Sequence, residues 1–224
     1  MACSTRTPAL LALFILAAFP SGHAAAAEFD DLLAAVEKNY ASRTDFSAQF
    51  VQTVVRAHLP DRPATKEGRF YFKKPGRMRF DYVKPDPVYY ISDGTTFWNY
   101  IPDSSLAYKL KVEDSDLFYA LKFLYGEGSL RKEFAVSDGG KERERRIVAL
   151  KPTRPQHNFQ QVRLFVDPAS FAIVETEVTD PAGNVSRIVF SNVSSDPLPA
   201  EGFLFSPPDG VQVEDLNANP PASP

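Results

Sequence analysis

The chain has 224 residues, a formal net charge of −3 and a single cysteine, Cys3. This mild acidity argues against nucleic acid and anionic membrane surfaces as partners, because both attract basic faces. One cysteine cannot form a disulfide within the chain, so the packing of the core has to hold the domain together.

The first 27 residues have the pattern of a secretory signal peptide. Arg6 is the only charged residue before Glu28, and the run from 9 to 19 is continuously apolar. Small residues follow that run, so we expect cleavage after Ala27 and export of the remaining chain. The apolar run is shorter than the roughly 20 residues that a membrane-spanning helix needs.

The first predicted element of the mature chain is an amphipathic helix over 28–40, in which Leu32, Leu33 and Val36 recur at helical spacing. After it the apolar period changes to two, which indicates β-strands. We expect strands over 46–57, 65–73, 77–83, 88–92, 95–101 and 106–112.

A second helix is predicted over 114–125, with an apolar face made of Leu117, Phe118, Leu121 and Leu124. Strands then resume, and we expect them over 132–137, 145–151, 159–166, 172–179 and 185–193. The last residues, 218–224, have the composition of a disordered tail.

These elements form one domain, residues 28–217, because no linker rich in glycine or serine divides the chain. A single sheet of about 11 strands tends to curl toward a barrel. We therefore predict a mainly β fold, namely a single incomplete (unclosed) antiparallel β-barrel. The two helices would form a lid over its hydrophobic cavity.

Motifs for catalysis, metal binding and nucleotide binding are absent from the sequence. His58 and His157 have no further ligand at metal-binding spacing. Neither a nucleophile elbow nor a Walker or dinucleotide-binding motif occurs. We therefore predict no catalytic residues, no metal site and no cofactor.

Aromatic residues are concentrated in four consecutive predicted strands. Met78, Phe80 and Tyr82 alternate onto one face of their strand, and Phe97 lies on the opposite face from Trp98. Such rings either fill an ordinary core or line a cavity that accepts an apolar ligand, and their pattern leaves both possibilities open.

Four segments together resemble the periplasmic outer-membrane lipoprotein carrier family, LolA. They are FSAQFVQ at 46–52, GRFYFKKPGRMRFDYVKPDP at 68–87, YYISDGTTFWNYIPDSSLAYK at 89–109 and FLFSPPDGVQV at 203–213. Each motif alone is weak, but their combination is specific and spans nearly the whole mature chain. The resemblance implies an open β-barrel with a helical lid that carries acylated lipoproteins across the periplasm.

The resemblance also implies partners and a latch. An inner-membrane LolCDE-type ABC transporter would hand over the cargo, and an outer-membrane LolB-type receptor of similar fold would take it from a monomeric carrier. The family's lid-closing residue is usually an arginine before the proline of a K-R-P turn, and this position is Lys74 here. Lysine has the charge but lacks the planar fork of arginine.

On this interpretation, the acyl chains would contact the aromatic strands and the second helix, and Lys74 would latch the lid. The first helix would add Leu32, Leu33 and Val36. The remaining predicted acyl-binding residues are Phe50, Phe70, Phe72, Met78, Phe80, Tyr82, Tyr90, Phe97, Trp98, Leu117, Phe118, Leu121 and Leu124.

Three other functions stay open at this point. A regulator or lipid sensor of the RseB and MucB type would share the fold but carry a second domain. A carrier of another amphiphile, such as a glycolipid, would have the same apolar walls, because these bind chain bulk and not head groups. A hydrolase of acyl chains would need a nucleophile and a base, for which no motif is present.

Overall fold

The computed structural model describes residues 21–114, 129–154 and 156–218. Helix α1 spans Ser21–Ala41 and the short helix α2 spans Leu130–Glu133. The strands are β1 (Asp45–Arg56), β2 (Leu59–Lys73), β3 (Arg77–Lys84), β4 (Val88–Asp93), β5 (Thr96–Ile101), β6 (Leu106–Lys111), β7 (Phe134–Glu142), β8 (Arg145–Pro152), β9 (Gln161–Val166), β10 (Ile173–Thr179), β11 (Val185–Ser194) and β12 (Gln212–Asp215). Neither helix of this part of the chain is long and apolar enough to cross a membrane.

All twelve strands belong to one sheet, in the order β12-β6-β5-β4-β3-β2-β1-β11-β10-β9-β8-β7. Neighbouring strands are antiparallel except β12, which pairs in parallel with β6. Because the order begins with β12 and ends with β7, these two strands are the edges of an unclosed sheet. The prediction of a mainly β, incomplete antiparallel barrel is confirmed, with twelve strands in place of about 11.

Strand β1 joins the two halves of the sheet. Phe50 lies opposite Gly68 of β2 on one side and opposite Phe190 of β11 on the other. The β1–β11 ladder therefore brings strands from the two ends of the chain next to each other, although some 140 residues separate them.

The helices differ from the prediction at their boundaries. Helix α1 begins at Ser21 and not at residue 28, in line with the high helix propensity of the alanines that precede Glu28. Helix α2 occupies part of a predicted strand, and the Ser129 hydroxyl caps it by accepting from the Arg131 N–H. The predicted second helix, with Leu117, Phe118, Leu121 and Leu124, lies outside the described residues.

Helix α1 covers one face of the sheet, which we call the inner face. Its residues Leu33 and Val36 are buried in one apolar cluster with inner-face side chains such as Phe46, Phe70 and Phe80. Burial of apolar area of this kind is the main stabilising term of the fold.

The other side, the outer face, is covered at β3–β6 by the C-terminal segment. A 3₁₀ turn, Ala200–Phe203, packs there with Phe203 buried. The Arg79 guanidinium donates to the Gly202 carbonyl at 3.0 Å. The outer-face residue Ile91 is buried as well. Strands β4 and β5 thus have apolar or aromatic side chains on both faces.

Candidate functional site

A cavity of about 440 Å³ opens on the inner face, between β1–β3, β9–β11 and the end of α1. This volume falls within the roughly 300–1,000 Å³ of typical small-ligand pockets. Its floor consists of buried apolar side chains: Phe46, Ala48, Phe70, Phe80, Val162 and Leu164.

The far wall of the cavity is formed by side chains of β9–β11 that alternate onto the inner face. Thr176 of β10 pairs with Leu164 of β9 on one side and with Ile188 of β11 on the other, so these side chains share the inner face. Phe190, two residues after Ile188, points the same way and lies with its ring centroid 6.1 Å from that of Phe70. The pairing of β1 with β11 therefore builds one apolar wall from distant parts of the sequence.

Tyr40 closes the cavity from the side of α1. Its ring meets Phe46 edge to face at 6.0 Å between centroids. Its hydroxyl accepts a buried hydrogen bond from the Ile173 N–H at 3.0 Å. Burial raises the pKa of Tyr40 above its ordinary value, so the hydroxyl remains neutral. Tyr40 thus joins α1 to the first residue of β10.

The mouth of the cavity lies where its lining becomes exposed, at Val193 and Ser195. Arg43 lines the cavity at this end and is half-buried. Its Nε donates to the Asn39 Oδ1 at 3.1 Å, and its Nη1 lies 3.5 Å from the Ser195 Oγ. The guanidinium is also 5.7 Å from the centre of the Tyr40 ring.

The structure brings most of the predicted aromatic residues together, but few of them line the cavity. Phe70 and Phe80 do, with ring centroids 4.4 Å apart. Tyr90 is half-buried and packs against the same cluster. The others are buried beside the cavity without lining it: Phe50, Phe72, Met78, Tyr82 and Phe97.

Trp98, which was predicted to contact the acyl chains, does not line this cavity. It pairs with Ile91 of β4, which places it on the outer face, opposite Phe97. Its ring packs against Phe205 of the C-terminal segment, with centroids 5.3 Å apart. Alternation along β5 sends only one of two neighbouring residues inward, so Trp98 faces away from the cavity.

Lys74 contacts the end of α1. Its Nζ donates to the carbonyls of Tyr40 and Ala41, each at 2.9 Å. The last carbonyls of a helix have no partner within the helix and carry its negative dipole end, so a cation stabilises them. Burial lowers the pKa of the Lys74 ammonium from its ordinary value. Without the planar fork of arginine, this lysine still reaches two backbone carbonyls.

Helix α1 is also tied to the C-terminal half of the chain by acidic side chains along its length. Glu28 pairs with Arg146 of β8, and Asp30 pairs with Arg131 of α2. The Glu37 Oε1 accepts from the Leu130 N–H at 2.8 Å, which caps α2. Helix α1 thus bridges the β2–β3 turn and the β8 region across the inner face.

Sequence reasoning missed the cavity residues of β9–β11 and of α1. Apolar residues two positions apart, Val162 and Leu164 on β9 and Ile188 and Phe190 on β11, were a usable signal for a shared inner face. This pattern does not reveal which distant strands pair with each other. Nothing in the sequence singles out Arg43. Among the described residues, no three histidine, cysteine or acidic side chains are grouped to hold a metal ion.

Comparison with known proteins gives the family. The model of the family described as "Outer membrane lipoprotein carrier protein LolA" matches residues 41–206. An outer-membrane lipoprotein carrier protein of Bordetella avium is 31% identical over 205 residues, which cover 91% of this chain and 95% of that protein. One from Chromobacterium violaceum is 28% identical over 206 residues, which cover 91% of this chain and 97% of the relative.

A solved structure supports the fold. An uncharacterized conserved protein from Thermus thermophilus superposes with a TM-score of 0.53 at 15% identity, over 84% of this chain and 99% of the other. At that identity the likeness concerns the fold alone. On the extent of the family match, this chain belongs to the LolA family of outer membrane lipoprotein carrier proteins.

Proposed function

We propose that this protein is a periplasmic lipoprotein carrier. It binds the acyl chains of lipoproteins released from the inner membrane and shields them until an outer-membrane acceptor takes them. The observation that carries this proposal is the apolar cavity on the inner face, in a chain whose relatives are named outer-membrane lipoprotein carriers. The signal-peptide pattern of residues 1–27 supports export to the periplasm.

The energetics explain why a carrier is needed. Each buried methylene of an acyl chain is worth about 0.8 kcal/mol, so a long chain exposed to water costs on the order of 10 kcal/mol. Release has to remain possible as well. A cavity with one open end shields a chain while leaving a path for its exit.

Several acyl chains need more room than the cavity offers while α1 is in place. Its 440 Å³ suits one small ligand, whereas a lipoprotein anchor carries more than one chain. Displacement of α1 would expose apolar surface of the inner-face cluster to which its own Leu33 and Val36 belong. In this proposal Lys74 is the latch, because its two hydrogen bonds to α1 are broken when the helix moves away.

Partners supply the direction of transport. The sequence carries no Walker motif, so the energy would come from an inner-membrane ABC transporter of the LolCDE type. An outer-membrane receptor of the LolB type would accept the cargo. The names of the relatives favour lipoproteins over a glycolipid as cargo and favour a carrier over a membrane-bound regulator.

The test compares two neighbouring residues of β11 that face opposite ways. Ile188→Gln places an amide in the cavity, and Val189→Gln is its matched control on the outer face, where Val189 is 39% exposed. Purified protein is added to inner-membrane spheroplasts, and the released lipoproteins are identified by mass spectrometry. We expect wild type and Val189→Gln to release them. Ile188→Gln should release several-fold less, because an amide that a bound acyl chain covers without a hydrogen-bond partner is costly.

Two outcomes would contradict the proposal. Wild-type protein that releases no acylated lipoprotein is not a carrier of this cargo. Equal release by both variants would remove the cavity from the acyl-binding site.

A further inference from the structure

Arg43 is the one charged residue among the described side chains that line the cavity. The floor beneath it is apolar, with Phe80 and Leu164 both buried. A cation at the end of an apolar cavity is unfavourable unless it meets an anion or water, because its charge loses hydration there.

The described partners of Arg43 are all neutral. They are the Asn39 amide, the Ser195 hydroxyl and the ring of Tyr40. Over 21–114, 129–154 and 156–218, no carboxylate oxygen lies within 4.0 Å of its guanidinium. The charge thus has no counter-ion in this part of the protein.

Two acidic residues, one close in sequence to Arg43 and one next to its partner Ser195, have hydrogen bonds of their own. Asp45 accepts from the Lys73 ammonium at 2.8 Å and from the Leu198 N–H at 3.1 Å. Asp196 accepts from the Ser194 hydroxyl at 2.6 Å. A change of rotamer that paired either carboxylate with Arg43 would break these bonds.

The guanidinium is also held in place. Asn39 fixes Nε, and Ser195 lies within reach of Nη1. Among the described residues, Nη2 has no hydrogen-bond acceptor. An arginine fork that is fixed on one side suits an incoming anion with two oxygens, such as a carboxylate or a phosphate.

We propose that the cavity binds a single acyl chain that ends in an anionic head group, with the head on Arg43 and the tail over Phe80 and Leu164. This goes beyond the proposed function, because the acyl chains of a lipoprotein are held in neutral ester and amide bonds. One chain also suits the volume of 440 Å³ without displacement of α1. The ligand would be a free fatty acid or a lysolipid with a phosphate head.

The experiment measures separately how the anionic head group and the acyl chain contribute to binding. Binding of cis-parinaric acid, a fluorescent fatty acid, is measured at a pH where its carboxyl is ionised, next to that of its methyl ester. We expect wild-type protein to bind the acid more tightly than the ester. Arg43→Gln should weaken binding of the acid by about tenfold, since hydrogen bonds to charged groups are worth more than neutral ones, and leave binding of the ester unchanged.

Controls make the result specific to Arg43. Arg56→Gln removes an exposed charge at the end of β1, far along the strand from the cavity, and should change neither ligand's affinity. Arg43→Lys keeps the charge and should restore much of the preference for the acid. Competition by oleate and by lysophosphatidic acid distinguishes a carboxylate from a phosphate head.

The proposal is overturned if wild-type protein binds acid and ester equally well, a comparison that needs no variant. It is also overturned if Arg43→Gln weakens the binding of the acid and of the ester to the same extent. Neither result bears on lipoprotein release, which the Ile188→Gln comparison tests on its own.

Discussion

At the scale of single residues, Lys74 shows how one cation holds helix α1 against the sheet. Its two hydrogen bonds go to the carbonyls of the last helical residues, of which that of Tyr40 also accepts from the Arg43 N–H at 3.3 Å. We expect Lys74→Met, which keeps the aliphatic stem, to lower the free energy of unfolding by about 1–3 kcal/mol, because charged hydrogen bonds are lost. Urea denaturation measures this difference.

A conservative variant and a local probe complete this test. Lys74→Arg retains the cation and should stay close to wild type. Hydrogen exchange should show faster exchange in the last turn of α1 in Lys74→Met. If exchange there is unchanged, Lys74 does not fix the helix end. In the carrier assay, Lys74→Leu should alter hand-off of cargo more than its uptake, and equal effects on both would argue against a latch.

Phe97 and Trp98 show what a residue's neighbours in sequence can and cannot predict. Alternation correctly separates the two residues onto opposite faces. It does not say which face holds the cavity, because both faces of β5 are covered. Helix α1 belongs to the inner cluster, while Phe205 packs on Trp98 outside. The C-terminal segment that covers the outer face is distant in sequence. The sequence pattern alone therefore does not distinguish an aromatic residue on the inner face from one on the outer face.

At the scale of elements, β2 depends on a glycine to pack against its neighbours. A Cβ on Gly68 would lie 2.3 Å from the Asp81 carbonyl oxygen and 2.5 Å from the ring of Phe50. Both distances are too short, and the first involves backbone that cannot move without disturbing β3. We therefore expect Gly68→Ala to lower the free energy of unfolding by roughly 1–3 kcal/mol.

Gly202 provides the matched control. A Cβ there would meet nothing within 4 Å, so Gly202→Ala should leave stability nearly unchanged. Thermal or urea denaturation of the two variants checks the difference. A Gly68→Ala protein as stable as wild type would mean that Phe50 packs differently from its position in this structure.

Strands β9–β11 show how far element-scale prediction reaches. Their period-two pattern predicts them correctly as strands, with bounds close to those observed. Their contribution to the cavity could not be predicted, because it depends on the pairing of β11 with β1 across the sheet. Strand β12 was missed for a related reason. It has four residues, its side chains are exposed or half-buried, and it forms only by pairing with β6.

At the scale of the whole molecule, α1 connects the two halves of the unclosed sheet. Lys74 holds it to the β2–β3 turn, while Glu28 reaches Arg146 of β8. The cavity lies between the strands of these halves, next to the end of the helix. Movement of α1 would therefore change the ties to both halves at once, which is the behaviour that a lid requires.

The whole fold should also lose stability in acid. Five carboxyl groups have a pKa held below the usual values of 3.8 for aspartate and 4.5 for glutamate, mainly by hydrogen bonds that they accept in the folded state: Asp45, Glu142, Asp167, Asp180 and Asp215. A lowered pKa in the folded state means that the unfolded chain binds protons first. The stabilisation is therefore complete above the usual values and is lost as the pH falls through the lowered ones.

We expect the free energy of unfolding, measured with urea, to be nearly constant down to about pH 5 and to fall steadily below it. Asp45→Asn tests one contribution. It removes the charge that pairs with Lys73 at 2.8 Å, so this variant should be less stable at neutral pH and approach wild type in acid. A constant difference between the two proteins at every pH would show that Asp45 contributes through packing and not through its charge.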